Sequence, residues 1–218
     1  MLPRTQDLND WTAEKKCRKV VENLTKKHFT AVYCANAQEA SDYIMKEAET
    51  ARNVGFGGSL SVADLKLTTR LAEQGKEILN HGFPDLTPEQ KMTIMKRQQT
   101  RDLFLSGTNA VTLDGCLVNI DGNGNRVAAM IYGPSKVIVV AGRNKIVEGD
   151  VGDAIRRIKD KSAPPNAMRL GKQTPCAATG FCCDCDAPQR ICHVTTIIDS
   201  KPSLTDFHVL VVNEDMGL

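Results

Sequence analysis

The sequence predicts an α/β fold: a mostly parallel sheet flanked by helices, with a cysteine-rich segment near the C-terminus. Three observations carry this expectation. Helix and strand patterns alternate through the N-terminal half, the arrangement that builds parallel sheets covered by helices. The stretch KVIVVA (136–141) is almost continuously apolar, as a strand buried on both faces must be. Five of the eight cysteines crowd into the seventeen residues from Cys176 to Cys192. With no internal repeat, low-complexity tract or linker, residues 1–218 are read as a single domain.

Residues 5–28 predict a helix, with Leu8, Trp11, Val20, Val21 and Leu24 as its apolar stripe. A strand at 29–34 and a helix at 37–50 follow. Residues 53–65 (NVGFGGSLSVADL) suit a strand, a glycine-rich turn and a helix start, and Gln74-Gly75 marks a helix end. Residues 76–80 suit a short strand. Thr87 caps a helix expected to reach Phe104, with Pro88 at its first position and Gln90 in the capping-box slot. Its basic side (Lys91, Lys96, Arg97, Arg101) is read as a solvated face rather than an anion site.

From 106 to 141 the pattern becomes short strands and tight turns, RVAAMIY among them, with Asp114-Gly115 and Asp121-Gly122 as turn dipeptides. A helix at 150–160, a helical turn opened by Ala163-Pro164-Pro165-Asn166, and strands at 194–199 and 207–212 complete the chain.

Hydrophobic residues make up 41% and charged residues 25%, the composition of an ordinary globular protein. A net charge of +2 is too mild to argue for nucleic acid or an anionic membrane. No apolar run reaches transmembrane length and the first residues do not resemble a signal peptide, so a cytoplasmic location is expected. In that compartment thiols stay reduced, and clustered cysteines bind metal more often than they form disulfides. Cys17, Cys34 and Cys116 are read as buried small hydrophobes.

The cysteine segment is the first candidate site. Cys182 and Cys185, two residues apart, can wrap two sulfurs around one metal, and Cys176 and Cys192 close the set from either side. Four neighbouring thiolates repel unless a cation offsets them, and Arg169, Lys172 and Arg190 flank the segment. The spacing selects neither zinc nor an iron–sulfur cluster, and disulfides or free thiols are the bland alternatives. His193, beside Cys192, is the one histidine placed to ligate or to support a ligand.

The second candidate is the turn Gly55-Phe56-Gly57-Gly58-Ser59, where backbone N–H groups can converge on an anion. The third is a set of polar residues in turns: Thr108, Asn109, Asp114, Asn119, Asp121, Asn123, Asn125 and Arg126, most of which turn formation alone explains. Arg143-Asn144-Lys145 follows the buried strand directly, where ligands of open α/β sheets bind.

Several stretches together resemble the lactate-utilisation (LUD) domain family: GFGGS (55–59), TLDGCLVNIDGNGNRVAAMIYGPSKVIVVAGRNKIV (112–147), APPNAMRL (163–170) and VNEDMGL (212–218). TPCAATGFCCDCDAPQRIC resembles the cysteine segment of short, single-domain members. That subset's four cysteines fall on Cys176, Cys182, Cys185 and Cys192, leaving Cys183 out. The resemblance implies a fold related to the NagB/RpiA/CoA-transferase group, with the glycine-rich turn facing a phosphosugar or CoA pocket. It also implies a link to oxidation of lactate to pyruvate beside iron–sulfur partners.

Three functions follow as expectations. The first is a redox accessory protein with an iron–sulfur cluster, 4Fe-4S in type, next to a site for a small anionic metabolite, working with other lactate-utilisation subunits or an electron carrier. The second is a non-redox enzyme or binding protein for a phosphorylated or CoA-linked molecule, its zinc knot structural; no Glu sits in a glycine-rich setting of the kind CoA transferases use. The third is a subunit that docks through the cysteine segment. A homo-oligomer is compatible with each.

Overall fold

The structure, a computed structural model, describes residues 4–218. The chain begins with α1 (Thr5–Lys26), β1 (Thr30–Cys34), α2 (Ala37–Glu47), β2 (Asn53–Phe56), α3 (Leu60–Ala63), α4 (Leu67–Glu73) and β3 (Glu77–Asn80). Then come α5 (Pro88–Arg97), β4 (Leu103–Gly107), β5 (Ala110–Thr112), β6 (Leu117–Asp121), α6 (Asn125–Ile131) and β7 (Lys136–Gly142). The last third holds β8 (Ile146–Val147), α7 (Val151–Arg157), α8 (Ala163–Arg169), α9 (Pro175–Thr179), β9 (Val194–Ile198) and β10 (Asp206–Val212).

Six strands form a parallel sheet in the order β1-β10-β7-β4-β2-β3. The apolar run of β7 alternates between two cores: Ile138 and Val140 face the one built with α2 and α4, while Val137, Val139 and Ala141 face the one built with α1 and α6. This is the two-sided burial its composition demands. A second, four-stranded sheet (β8-β5-β6-β9), mostly antiparallel, lies on the α1/α6 side, with α7 packed on it. Short hairpin-like strands such as Ala110–Thr112 carry too little pattern to announce that layer in sequence.

Three expectations are corrected. The helix capped by Thr87 stops at Arg97, and Phe104 lies in β4 with its side chain fully buried. The stop has a tertiary cause: the buried Gln98 amide donates to the carbonyls of Phe56 (2.8 Å) and Leu79 (2.8 Å), joining the ends of β2 and β3. RVAAMI is helix α6 rather than strand, started by Gly124 at φ 77° and burying Val127 and Met130 on one face. The apolar stripe of α1 is buried only from Cys17 onward; Leu8 and Trp11 are exposed. No helix among the described residues is long and apolar enough to cross a membrane.

Candidate functional site

Strand order locates the site before any side chain is considered. From β2 the chain moves outward to β3, whereas from β4 it moves the other way to β7, so the order reverses between β2 and β4. Loops leaving the carboxyl ends of two such strands diverge and leave a crevice, where ligands of open α/β sheets bind. A cleft of about 660 Å³ occupies that position. Gly57, Gly58 and Ser59 follow β2 there, Gly107, Thr108 and Asn109 end β4, and Lys145 follows β7.

The glycines of the β2 turn have separate causes. A Cβ on Gly55 would meet the Phe104 ring at 3.1 Å and Gln98 at 3.2 Å, so this glycine permits core packing and does not line the cleft. A Cβ on Gly57 would sit 2.9 Å from Ser106 Oγ. Gly58 adopts φ +71°, and a Cβ there would lie 3.1 Å from His81 Nε2. The helix that follows, α3, is a single turn of 4 residues, so its dipole contributes little to holding an anion.

His81, set aside in the sequence in favour of His193, lines the cleft opposite Gly58. Burial lowers its pKa. The Gln98 amide nitrogen lies 3.3 Å from Nδ1, and the ring turns Nε2 toward Gly58.

Arg126 is the brace of the site. It donates to Asp121, to Asn109 Oδ1 (2.8 Å), to Asn119 Oδ1 (2.8 Å) and to the Gly107 carbonyl (3.0 Å). Each guanidinium nitrogen is thus engaged within the protein, and Arg126 shapes the cleft without being free to bind a ligand. Asn119 lies behind the wall in this network and Thr108 Oγ1 donates to the Ala110 carbonyl (2.9 Å). Arg157, half-buried and with no carboxylate partner among the described residues, donates to the carbonyls of Asn109 (2.9 Å) and Asn144 (2.7 Å).

Three further residues singled out in the sequence lie away from the cleft lining. Asp114 sits at the β5–β6 turn, bonded to Thr112 and facing Lys27 at 4.0 Å. Arg143 pairs with Asp10 (3.0 Å) and Asp215 (3.1 Å). Asn144 Oδ1 accepts from Met216 N (3.1 Å), holding the C-terminal residues against β7. Chain proximity to a strand end did not decide which way each side chain turned.

Lys145 does enter the cleft. It is 4% exposed, and its Nζ donates to Ser61 Oγ at 2.7 Å. Burial first, then the charges of Arg157 and Arg126, lower its pKa to about 7 against a weaker opposing pull from Asp64. An unfolded lysine keeps its proton up to about 10.5, so between these values the unfolded state binds more protons and stability rises with pH. Lys145→Met is expected to flatten that rise in denaturant titrations between neutral and alkaline pH, and an unchanged slope would refute the assignment.

The cysteine segment forms the opposite wall. Thr174 caps α9, which carries the buried Cys176, and Gly180 at φ 82° ends it. Arg190 then ties the loop, donating to the carbonyls of Cys192 (2.8 Å) and Cys185 (2.5 Å). Asp184 takes a left-handed φ of 50°, and its N–H points at Cys182 Sγ at 3.4 Å. Lys159 pairs with Asp184 at 2.8 Å, which raises its pKa, and Cys182 adds a smaller pull in the same direction.

Burial raises the Cys192 thiol, and the charges of Cys182, Cys176 and Cys185 raise it further against Arg190. These are the four cysteines the sequence grouped, and Cys183 is the exposed one of the five. In the described side-chain positions no three His, Cys, Asp or Glu residues converge closely enough to hold a metal ion, so the thiols would have to draw together around one. The donor set itself, four thiols with Lys159, Arg190 and the Asp184 N–H beside them, fits a thiolate-ligated centre. Cys192 and Arg190 line the same cleft as Gly58 and Lys145, and the His193 N–H donates to the Asp121 carbonyl at 2.9 Å, anchoring the segment to the braced wall.

Among curated proteins no match was found. A solved structure, described as a DUF162 family protein from Deinococcus radiodurans at 1.70 Å, is similar with a TM-score of 0.49 and 14% identity, covering 92% of this chain and 98% of that one. The LUD domain family matches residues 17–212, from the first buried residue of α1 to the end of β10. The chain belongs to the LUD domain family.

Proposed function

We propose that the chain is a redox protein of 2-hydroxy acid metabolism, holding an iron–sulfur centre on Cys176, Cys182, Cys185 and Cys192 beside a cleft for a small carboxylate such as lactate or its oxo acid. One observation carries the reading: the cysteine segment and the anion-attracting turn are walls of one cleft, not separate features. Such a centre, when bound, supplies one-electron transfer. The remaining work belongs to the chain. His81 Nε2 and the backbone at Gly58 face the space an anion would fill. Among the described residues Lys91, Arg169 and Lys172 line the cleft with no carboxylate within 4.0 Å, leaving net positive charge to draw one in.

Purification without oxygen, followed by iron, zinc and acid-labile sulfide analysis and an absorption spectrum, tests the proposal. Iron with sulfide and a broad visible band is the expected result. One zinc without iron would overturn the redox role and leave a structural knot.

The size of the cleft favours a second reading. At about 660 Å³ it exceeds what a three-carbon acid fills and suits a phosphorylated or CoA-linked molecule. Gly58→Asp would put a carboxylate beside His81 where the anion should lie, with Gly58→Asn as a neutral control bearing the same backbone strain. Binding of a phosphorylated ligand is expected to weaken about tenfold or more in the aspartate variant relative to the asparagine one. Equal affinities, measured by calorimetry, would remove the turn from the binding site.

A further inference from the structure

The floor of the cleft holds an amine that neither electron transfer nor charge attraction requires to be buried. Lys145 Nζ donates to Ser61 Oγ at 2.7 Å, and the Ser61 hydroxyl in turn donates to the Met216 carbonyl at 3.2 Å. The serine hydrogen is therefore committed, and Ser61 can only accept from the amine. A neutral Lys145 keeps its lone pair free. No carboxylate stands within 4.0 Å of it among the described residues, while Arg126 and Arg157 act on it as like charges. Desolvation beside other cations is the setting in which lysine becomes a carbonyl nucleophile near neutral pH.

From this geometry we infer that Lys145 captures the C2 carbonyl of a 2-oxo acid in the cleft as an imine. The inference rests on reading the cleft as a site for 2-hydroxy and 2-oxo acids, and it adds a covalent contact available to only one of the two. The amine nitrogen attacks the carbonyl carbon, forming a C–N bond as the carbonyl electron pair moves to oxygen. Nitrogen gives up its protons as that oxygen leaves as water. Amine and oxo acid thus become imine and water, with no oxidant or reductant consumed. A 2-hydroxy acid has no C2 carbonyl and forms no such bond, so Lys145 distinguishes the oxidised member of the pair.

The test uses protein purified without oxygen, pyruvate as probe and cyanoborohydride to reduce any imine to a stable secondary amine, read by intact mass and peptide mapping. One adduct on Lys145 is expected, with none from lactate. Adduct formation should rise with pH through about 7 as the amine loses its proton, then level off. Lys145→Met, which loses the primary amine and resembles its neutral form in size, should keep its fold by circular dichroism and remain unlabelled. If that variant fails to fold, the wild-type peptide map still decides.

Absence of an adduct at Lys145, indiscriminate labelling of surface lysines, or a pH profile of an ordinary lysine would each overturn the inference. Iron and sulfide measured on the same sample separate the two ideas. Cluster without adduct refutes Lys145 alone, and adduct without cluster supports Lys145 while refuting the redox centre.

Discussion

Cys185→Ser is expected to reduce bound iron and acid-labile sulfide to near zero, whereas Cys183→Ser leaves both unchanged. The two cysteines are only two residues apart, so composition and local fold hardly distinguish them. Their surroundings do. Cys185 is half-buried and its carbonyl is held by Arg190, whereas Cys183 is exposed. A serine oxygen is a poor substitute for a thiolate in such a centre, and losing one of four ligands commonly costs the whole cluster. The measurement is metal and sulfide content per chain, with circular dichroism to show that the fold persists. Full occupancy in the Cys185 variant, or loss in the Cys183 variant, would refute the ligand set.

Arg126→Met is expected to destabilise the protein by about 3–5 kcal/mol, the usual cost of stranding one member of a buried ion pair. Asp121 is 7% exposed and its carboxylate faces the guanidinium, so removing the cation leaves a charge with little access to water. The Oδ1 atoms of Asn109 and Asn119 and the Gly107 carbonyl lose a donor at the same time. For a chain of this size the melting temperature should fall by roughly 6–20 °C. The double variant Arg126→Met/Asp121→Leu should recover part of the loss, since no lone charge remains. A single variant as stable as wild type would mean that Arg126 is not a brace, freeing its donors for a ligand.

The cysteine segment was legible because its signal is chemical and local: five thiols within seventeen residues need no fold to be noticed. Gly58 and Ser59 were legible for a similar reason, since a glycine-rich turn between a strand and a helix start limits where the backbone can go. His81 was not. It follows β3 in an unremarkable loop, and only the closure of that loop by Gln98 turns its Nε2 toward Gly58. Arg143 and Lys145 show the same limit from the other side. Both follow β7 within three residues, yet one is spent on Asp10 and Asp215 and the other is buried on the cleft floor.

By itself, then, the sequence determined the class of fold, the family resemblance and the crowding of cysteines into one segment, because hydrophobic period, glycine placement and thiol spacing act over a few residues. The tertiary structure alone decided that α5 ends at Arg97, that a second sheet covers one core, and that the turn after β2, Lys145 and Cys192 meet in one cleft. The physical reason is strand order. Placing β4 between β2 and β7 brings together loops separated by scores of residues, and no window of the chain contains that adjacency.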